Sequence, residues 1–292
     1  MGSIAEIRSL RLDDGRELCI REWPGARGRT LVLLHGLLDS SEGWTELCGA
    51  VGGRRIAFDL PGFGQSDPPP RGSLAGYARD IAEGLAALEI GPFTLVGHSL
   101  GGAVAAGLAE LMPERIEALV LLAPAGFGHI HLAEAVSLPG VRSLVDAALP
   151  LLLANRLAIS AGYMAIVSNG RAPGDGLIDR VASRGGALAD GVREATRAVV
   201  DASRSPDAFH RRRLRYGGPV YGIWGDRDRL VPSAHARGLR TAFAQAHVEI
   251  WPGMGHHASR ERFERLVALV GRATAAGWSR PAVRAGARGR AA

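Results

Sequence analysis

Lysine is absent from this chain of 292 residues, cysteine occurs only twice, and no apolar run reaches the length of a membrane span. Because two cysteines cannot build a disulfide framework, Cys19 and Cys48 are each predicted to be small buried hydrophobic residues. The longest apolar stretch, residues 147–154, is too short to cross a bilayer and contains a proline. Residues 1–6 carry no basic flank that leads into an apolar stretch. We therefore expect a cytoplasmic protein with no membrane partner.

Positive charge is concentrated at one end of the chain. The formal net charge is +6, and residues 279–292 contribute four arginines and no acidic residue. Since this segment is rich in alanine, glycine and arginine, we expect a solvated, disordered tail. A contact with nucleic acid or an anionic surface is the alternative, but no aromatic residue lies among those arginines after Trp278. The sequence predicts no nucleic-acid partner.

Residues 97–101 form the motif G-x-S-x-G between a predicted strand and a predicted helix. The apolar run 92–96 precedes the motif, and the alanine-rich run 102–109 follows it. A serine on a sharp turn from strand to helix has its hydroxyl exposed above the sheet, and the flanking glycines leave room for the bend. In this context the motif predicts that Ser99 is a nucleophile.

Candidates for the acid and the base follow the serine in chain order. Asp226 and Asp228 lie just after a predicted strand at 220–224, and His256 and His257 follow another at 248–251. A nucleophilic serine needs a histidine to take its proton and an acid to orient that histidine. The carboxyl ends of parallel strands form the edge where ligands bind in open α/β sheets. Composition and periodicity alone leave both members of each pair open.

Five sequence blocks, in order and spacing, resemble the α/β-hydrolase superfamily over nearly the whole chain. They are residues 33–36, 59–66, 97–101, 225–232 and 255–256. The resemblance implies a mostly parallel eight-stranded sheet flanked by helices, with a helical cap insertion. Among its members, the chain looks like single-domain hydrolases related to esterases and to acetoin-cleaving acyltransferase-like proteins. It implies no cofactor and no metal.

The resemblance also implies the roles of particular residues. Its pattern places the acid three residues after Gly225, which favours Asp228 over Asp226, and the base directly after a glycine, which favours His256. His257 is then expected to position its loop or to face solvent. The remaining implied group is an oxyanion hole made of two backbone N–H groups, those of Leu37 and Leu100.

Four other histidines have simpler interpretations. His35 is expected to be structural in its loop, and His98 to line a pocket or to pack against its neighbours. His129 and His131 form an H-x-H pair, but no further converging ligand is indicated, so no metal site is predicted there.

The predicted elements divide the chain into three parts. Residues 1–126 and 217–278 are expected to form the core, residues 127–216 a helical cap, and residues 279–292 the tail. Further strands are predicted at 30–34, 55–59 and 116–122, with a hairpin over 7–23 that turns at Asp14-Gly15. Helices are predicted at 43–51, from Ser73 onward, and at 192–202.

The chemistry predicted for this arrangement is hydrolysis of the carboxylic ester of a small, apolar substrate through a serine ester. The alternatives are C–C bond hydrolysis, thioester hydrolysis or perhydrolysis on the same three residues, or a non-catalytic ligand-binding scaffold. Phe127 and the leucines of 149–153 are expected either to line an apolar pocket or to pack within the cap. The sequence indicates no oligomeric state.

Overall fold

The computed structural model describes residues 4–25, 30–88, 90–167 and 173–275, so the predicted tail at 279–292 lies outside the described residues. Eight strands form one sheet within these ranges: β1 Glu6–Arg11, β2 Glu17–Trp23, β3 Thr30–Leu34, β4 Arg54–Phe58, β5 Phe93–His98, β6 Ile116–Leu122, β7 Val220–Gly225 and β8 Ala246–Trp251.

The order of strands across the sheet is β1-β2-β4-β3-β5-β6-β7-β8. β2 pairs antiparallel with β1 and with β4, and every other pair is parallel. All residues of β3 and β5 are buried, as expected for central strands that are covered on both faces. The predicted mostly parallel, eight-stranded sheet with a helical insertion is therefore confirmed.

Helices cover both faces of the sheet. Their bounds are α1 Thr45–Ala50, α2 Leu74–Ala87, α3 Leu100–Leu111, α4 His131–Val136, α5 Pro139–Ala154, α6 Arg156–Gly162, α7 Asp175–Arg204, α8 Ala236–Ala242, α9 Ala258–Glu261 and α10 Phe263–Ala275. Each face of the sheet has its own hydrophobic core, and successive side chains of a strand point to opposite faces. Leu95 belongs to the core that includes residues of α2 and α3, whereas Val96 belongs to the core that includes residues of α1 and α10.

Both cysteines are free and buried, which confirms the prediction made for them. Burial raises the pKa of the Cys19 thiol and of the Cys48 thiol to about 12. Because the thiolate is the reactive form, we expect both thiols to be unreactive near neutral pH.

Between β6 and β7 the chain forms a helical insertion made of α4 to α7 and a π-helical turn at Tyr163–Val167. No strand occurs in its described part. α7 is kinked at Gly185, whose φ is 31° and ψ is −107°. The boundaries of the core and cap domains remain predictions.

The leucines of α5 divide between surface and core. Leu151 is 75% exposed and Leu152 50% exposed, so neither leucine is buried by packing within the cap. Leu153 is only 6% exposed and Phe127 1%. The Phe127 ring packs against Phe209 and Phe243, with ring centres 5.7 and 6.1 Å apart. For Leu153 and Phe127 the structure favours packing over pocket lining.

Over the described residues, no single helix has both the length and the apolar character to cross a membrane. α5 and the helical segment Arg156–Val167 pass that test only as a pair, which is bent by 111°.

Candidate active site

Ser99 lies at the turn between β5 and α3 with φ 52° and ψ −115°, a conformation that residues with a side chain seldom adopt. Its backbone N–H donates to the Leu122 carbonyl of the neighbouring strand at 2.9 Å. A Cβ at Gly97 would meet the carbonyl oxygen of Gly101, and one at Gly101 would meet backbone oxygens at the end of β3. The two glycines therefore allow the tight turn, and Ser99 itself is buried, with 7% of its surface exposed.

Asp228 and His256 form a buried pair. His256 Nδ1 donates to Asp228 Oδ2 at 2.7 Å, and both side chains are almost fully buried. Asp228 Oδ1 also accepts the backbone N–H groups of Leu230 at 2.9 Å and Val231 at 2.8 Å. Because the carboxylate is held at both oxygens, it fixes the orientation of the imidazole. With the proton on Nδ1, Nε2 carries the lone pair of the neutral ring.

The neighbouring acid and histidine have other partners. Asp226 Oδ1 accepts the backbone N–H of Gly253 at 2.7 Å and does not contact His256. His257 is buried, and its ring centre lies 4.4 Å from that of His98 and 5.6 Å from that of Tyr163 in the insertion. Of the two alternatives expected for His257, exposure to solvent is wrong, because rings from the core and from the insertion cover it.

His98 packs against its neighbours and connects the serine turn to the histidine loop. Its Nε2 donates to the backbone carbonyl of His256 at 3.0 Å, and the two ring centres are 4.8 Å apart. Burial lowers the pKa of His98 well below 6.5, with a smaller contribution from the nearby His256. The ring is therefore neutral and acts as a structural donor.

No hydrogen bond joins Ser99 to His256 in the described structure. His256 Nε2 is buried and has no hydrogen-bond partner among the described residues. His98, the residue before Ser99, donates to the His256 backbone, so the serine turn packs against the loop that holds His256. Catalytic hydrogen bonds are often loose in free enzymes and tighten in the substrate complex.

Leu100 follows Ser99 directly, and Leu37 belongs to a loop that packs on the serine turn. Leu100 is the first residue of α3, so its N–H has no acceptor within the helix. Leu37 follows Gly36, which packs so closely on the turn that a Cβ there would lie 3.2 Å from Ser99 Cβ. His35 is structural, as predicted: Nδ1 donates to the Gly36 carbonyl at 2.7 Å, and Nε2 accepts the Leu60 N–H at 2.9 Å.

The H-x-H pair lies at the start of the insertion. His129 Nδ1 contacts Glu134 Oε1 at 2.7 Å, and the His131 side chain is largely exposed. Across the part of the chain that the structure describes, no three histidine, cysteine, aspartate or glutamate residues are placed to hold a metal ion.

Comparison with known proteins identifies the family and the fold of the chain. A sequence profile for the alpha/beta hydrolase fold matches residues 29–158. An uncharacterised protein of Mycobacterium tuberculosis is 31% identical over 257 residues, which cover 84% of this chain and 75% of that protein. The dihydrolipoyllysine-residue acetyltransferase component of the acetoin cleaving system of Pseudomonas putida is 30% identical over 86% of this chain and 65% of its own length. An esterase structure from Exiguobacterium antarcticum has a TM-score of 0.73 at 19% identity, covering 94% of this chain and 100% of that one, a likeness of fold.

Proposed function

Since the chain belongs to the α/β-hydrolase superfamily, we propose that it is a serine hydrolase that cleaves the carboxylic ester of a small molecule through an acyl-enzyme intermediate. The observation that carries the proposal is the buried pair of Asp228 and His256 beside a serine held in a strained turn. The reaction needs a nucleophile, a base and an orienting acid, and these three residues fit those roles.

In the proposed mechanism, the Ser99 hydroxyl attacks the ester carbonyl as His256 Nε2 takes its proton. The imidazolium that forms is stabilised by Asp228 and then gives the proton to the leaving alkoxide. Water attacks the acyl-enzyme with His256 again as the base, and the products are a carboxylic acid and free Ser99. The unpartnered Nε2 of the buried imidazole suits this role, because its lone pair is not used by any neighbour in the described structure.

The tetrahedral intermediate carries a negative oxygen that needs preorganised donors. We assign these donors to the backbone N–H groups of Leu100 and Leu37. The start of α3 favours the first, because the positive end of a helix dipole lies there. The close packing of Gly36 on Ser99 favours the second, because it brings the loop with Leu37 to the serine.

The helical insertion is proposed to act as a lid that sets substrate choice. It contains none of the three residues proposed to react, but it contacts the loop that holds His256. The His256 N–H donates to the Val167 carbonyl at 2.9 Å, and Tyr163 packs on His257. A lid opens to admit substrate and closes to exclude water. Amide exchange in α4 to α6 as slow as in β3, β5 and β6 would contradict this assignment.

Covalent labelling tests the proposal. We expect a fluorophosphonate probe to label the wild-type protein at Ser99, and Ser99→Ala to abolish labelling and ester turnover together. Acyl esters of graded chain length, a thioester and a C–C substrate, assayed in parallel, identify the bond that is cleaved. Ester turnover that persists in pure Ser99→Ala protein would refute the assignment of the nucleophile. Labelling without turnover of any substrate would identify a binding scaffold instead.

A further inference from the structure

A cavity of about 160 Å³ lies where the core meets the insertion, next to the loop proposed to hold the oxyanion. One wall begins at Leu38, two residues after the glycine that packs on Ser99. The first half of α7 also lines the cavity, through Arg180 and Arg184. Arg21 of β2 is a further lining residue. A cavity of roughly 150 Å³ is large enough to hold a molecule the size of benzene.

The acidic side chains of this cavity are already occupied. Asp59 accepts backbone N–H groups at both oxygens, from Ser41 at 2.6 Å and Gln65 at 2.7 Å. Asp39 faces Arg180 at 3.1 Å and Arg260 at 3.7 Å.

Glu42 is also engaged, because it lies between Arg180 at 3.3 Å and Arg21 at 3.9 Å. Three carboxylates and three guanidinium groups line the cavity, and Arg260 behind Asp39 adds a fourth positive charge. The immediate surroundings therefore carry one excess positive charge.

The unpaired polar groups of the cavity are hydrogen-bond donors. The Nε atoms of Arg21 and Arg180 are buried and have no hydrogen-bond partner in the described structure. Arg184 makes no hydrogen bond or ion pair with any described residue. A buried donor without an acceptor is costly, so a ligand that supplies acceptor oxygens gains from binding here.

We propose that this cavity binds a carboxylate carried by the substrate, at the end opposite to the ester. A carboxylate supplies two acceptor oxygens in a plane that matches the guanidinium fork, and its single charge equals the excess charge of the site. The proposal rests on the proposed esterase function and deepens it. The substrate class is a monoester of a short dicarboxylic acid, with an apolar chain between its two ends.

Matched ester pairs test the proposal. The anionic series is the 4-nitrophenyl monoesters of dicarboxylic acids from succinate to pimelate, and the neutral series is 4-nitrophenyl butyrate to heptanoate. At one chain length, we expect kcat/KM to be higher for the anionic ester than for the neutral ester of the same pair. Arg184→Gln should raise KM for that ester about tenfold and leave the neutral ester unchanged, because a hydrogen bond to a charged group is lost.

Arg204→Gln is the matched control, because Arg204 lies in the last turn of α7 outside the cavity and the change removes the same charge. It should leave both series unchanged. Equal kcat/KM within every pair, or an anionic preference that survives Arg184→Gln, would overturn the proposal.

A direct binding measurement separates this proposal from the esterase assignment. Calorimetric titration of succinate, glutarate, adipate and pimelate into the wild-type protein should detect binding of at least one diacid, weakened in Arg184→Gln and unchanged in Arg204→Gln. If no ester is turned over but this pattern is seen, the esterase assignment fails and the carboxylate site stands. If neutral esters are turned over and no diacid binds, the esterase assignment stands and the carboxylate site fails.

Discussion

Asp226 and Asp228 are two residues apart on one loop, yet their carboxylates have different partners. Asp228 orients His256, whereas Asp226 accepts the N–H of Gly253 in the next turn. We expect Asp228→Asn to lower kcat for a simple ester far more than Asp226→Asn, because an asparagine amide favours the wrong tautomer of His256. Loss of the orienting acid costs on the order of 10⁴ in kcat in a serine protease.

Asp226→Asn is the control for this prediction, since its amide oxygen can still accept the N–H of Gly253. Both variants are compared with wild type in kcat and in thermal melting. Equal losses of kcat in the two variants, at equal melting temperatures, would show that Asp228 is not the orienting acid.

Sequence reasoning reached some of the site residues and missed others for a physical reason. The selection of Asp228 and His256 depended on spacing from a glycine in the same loop, which is local information. The hydrogen bond from His98 to the His256 backbone joins residues 158 positions apart. The charged cavity likewise combines β2, two core loops and α7. No local pattern encodes contacts of that kind, because they exist only after the sheet has assembled.

At the scale of elements, α5 contains one buried leucine and one exposed leucine two residues apart. Leu153 is buried in the main core cluster, whereas Leu151 faces outward. We expect Leu153→Ala to lower the free energy of unfolding by about 2–4 kcal/mol, through lost burial and a residual cavity. Leu151→Ala, the same change two residues away, should alter it by less than about 0.5 kcal/mol. Urea unfolding followed by circular dichroism measures both, and equal losses would contradict the orientation of this helix.

Strands were predicted more closely than helices. Predicted strands 30–34 and 116–122 match β3 and β6 to the residue, because apolar residues dominate each segment. The segment predicted as one helix over 43–51 is a 3₁₀ turn at Ser41–Trp44 followed by α1. Within α7, the sequence specified a helix only at 192–202. Glycines earlier in α7 weaken its helix propensity, and tertiary packing stabilises the helix there.

For the whole molecule, buried histidines predict how stability depends on pH. Burial lowers the pKa of His98 and His257 well below 6.5 and that of His210 and His235 below 6.5. In the unfolded chain these rings titrate near 6.5, so below that pH the unfolded state binds more protons. Stability should therefore be full above about pH 7 and decline as the pH falls below 6.5.

Denaturant unfolding at several pH values between 8 and 5.5 checks this dependence, in a range where carboxylates remain ionised. His98→Gln removes one titrating ring but retains an N–H donor for the His256 carbonyl. The free energy of unfolding of this variant should therefore fall less steeply with decreasing pH than that of wild type. A free energy of unfolding that is constant or rises as the pH falls over this range would refute the prediction.

The strand order also has a consequence for protein synthesis. β7 and β8, which precede the loops with Asp228 and His256, join one side of the sheet after the strands that form the serine turn. A chain that emerges from the ribosome N-terminus first contains Ser99 well before it contains its acid or its base. Truncated translation products that end before residue 256 therefore lack the proposed general base, so we expect hydrolytic activity only once residues 1–256 have been made.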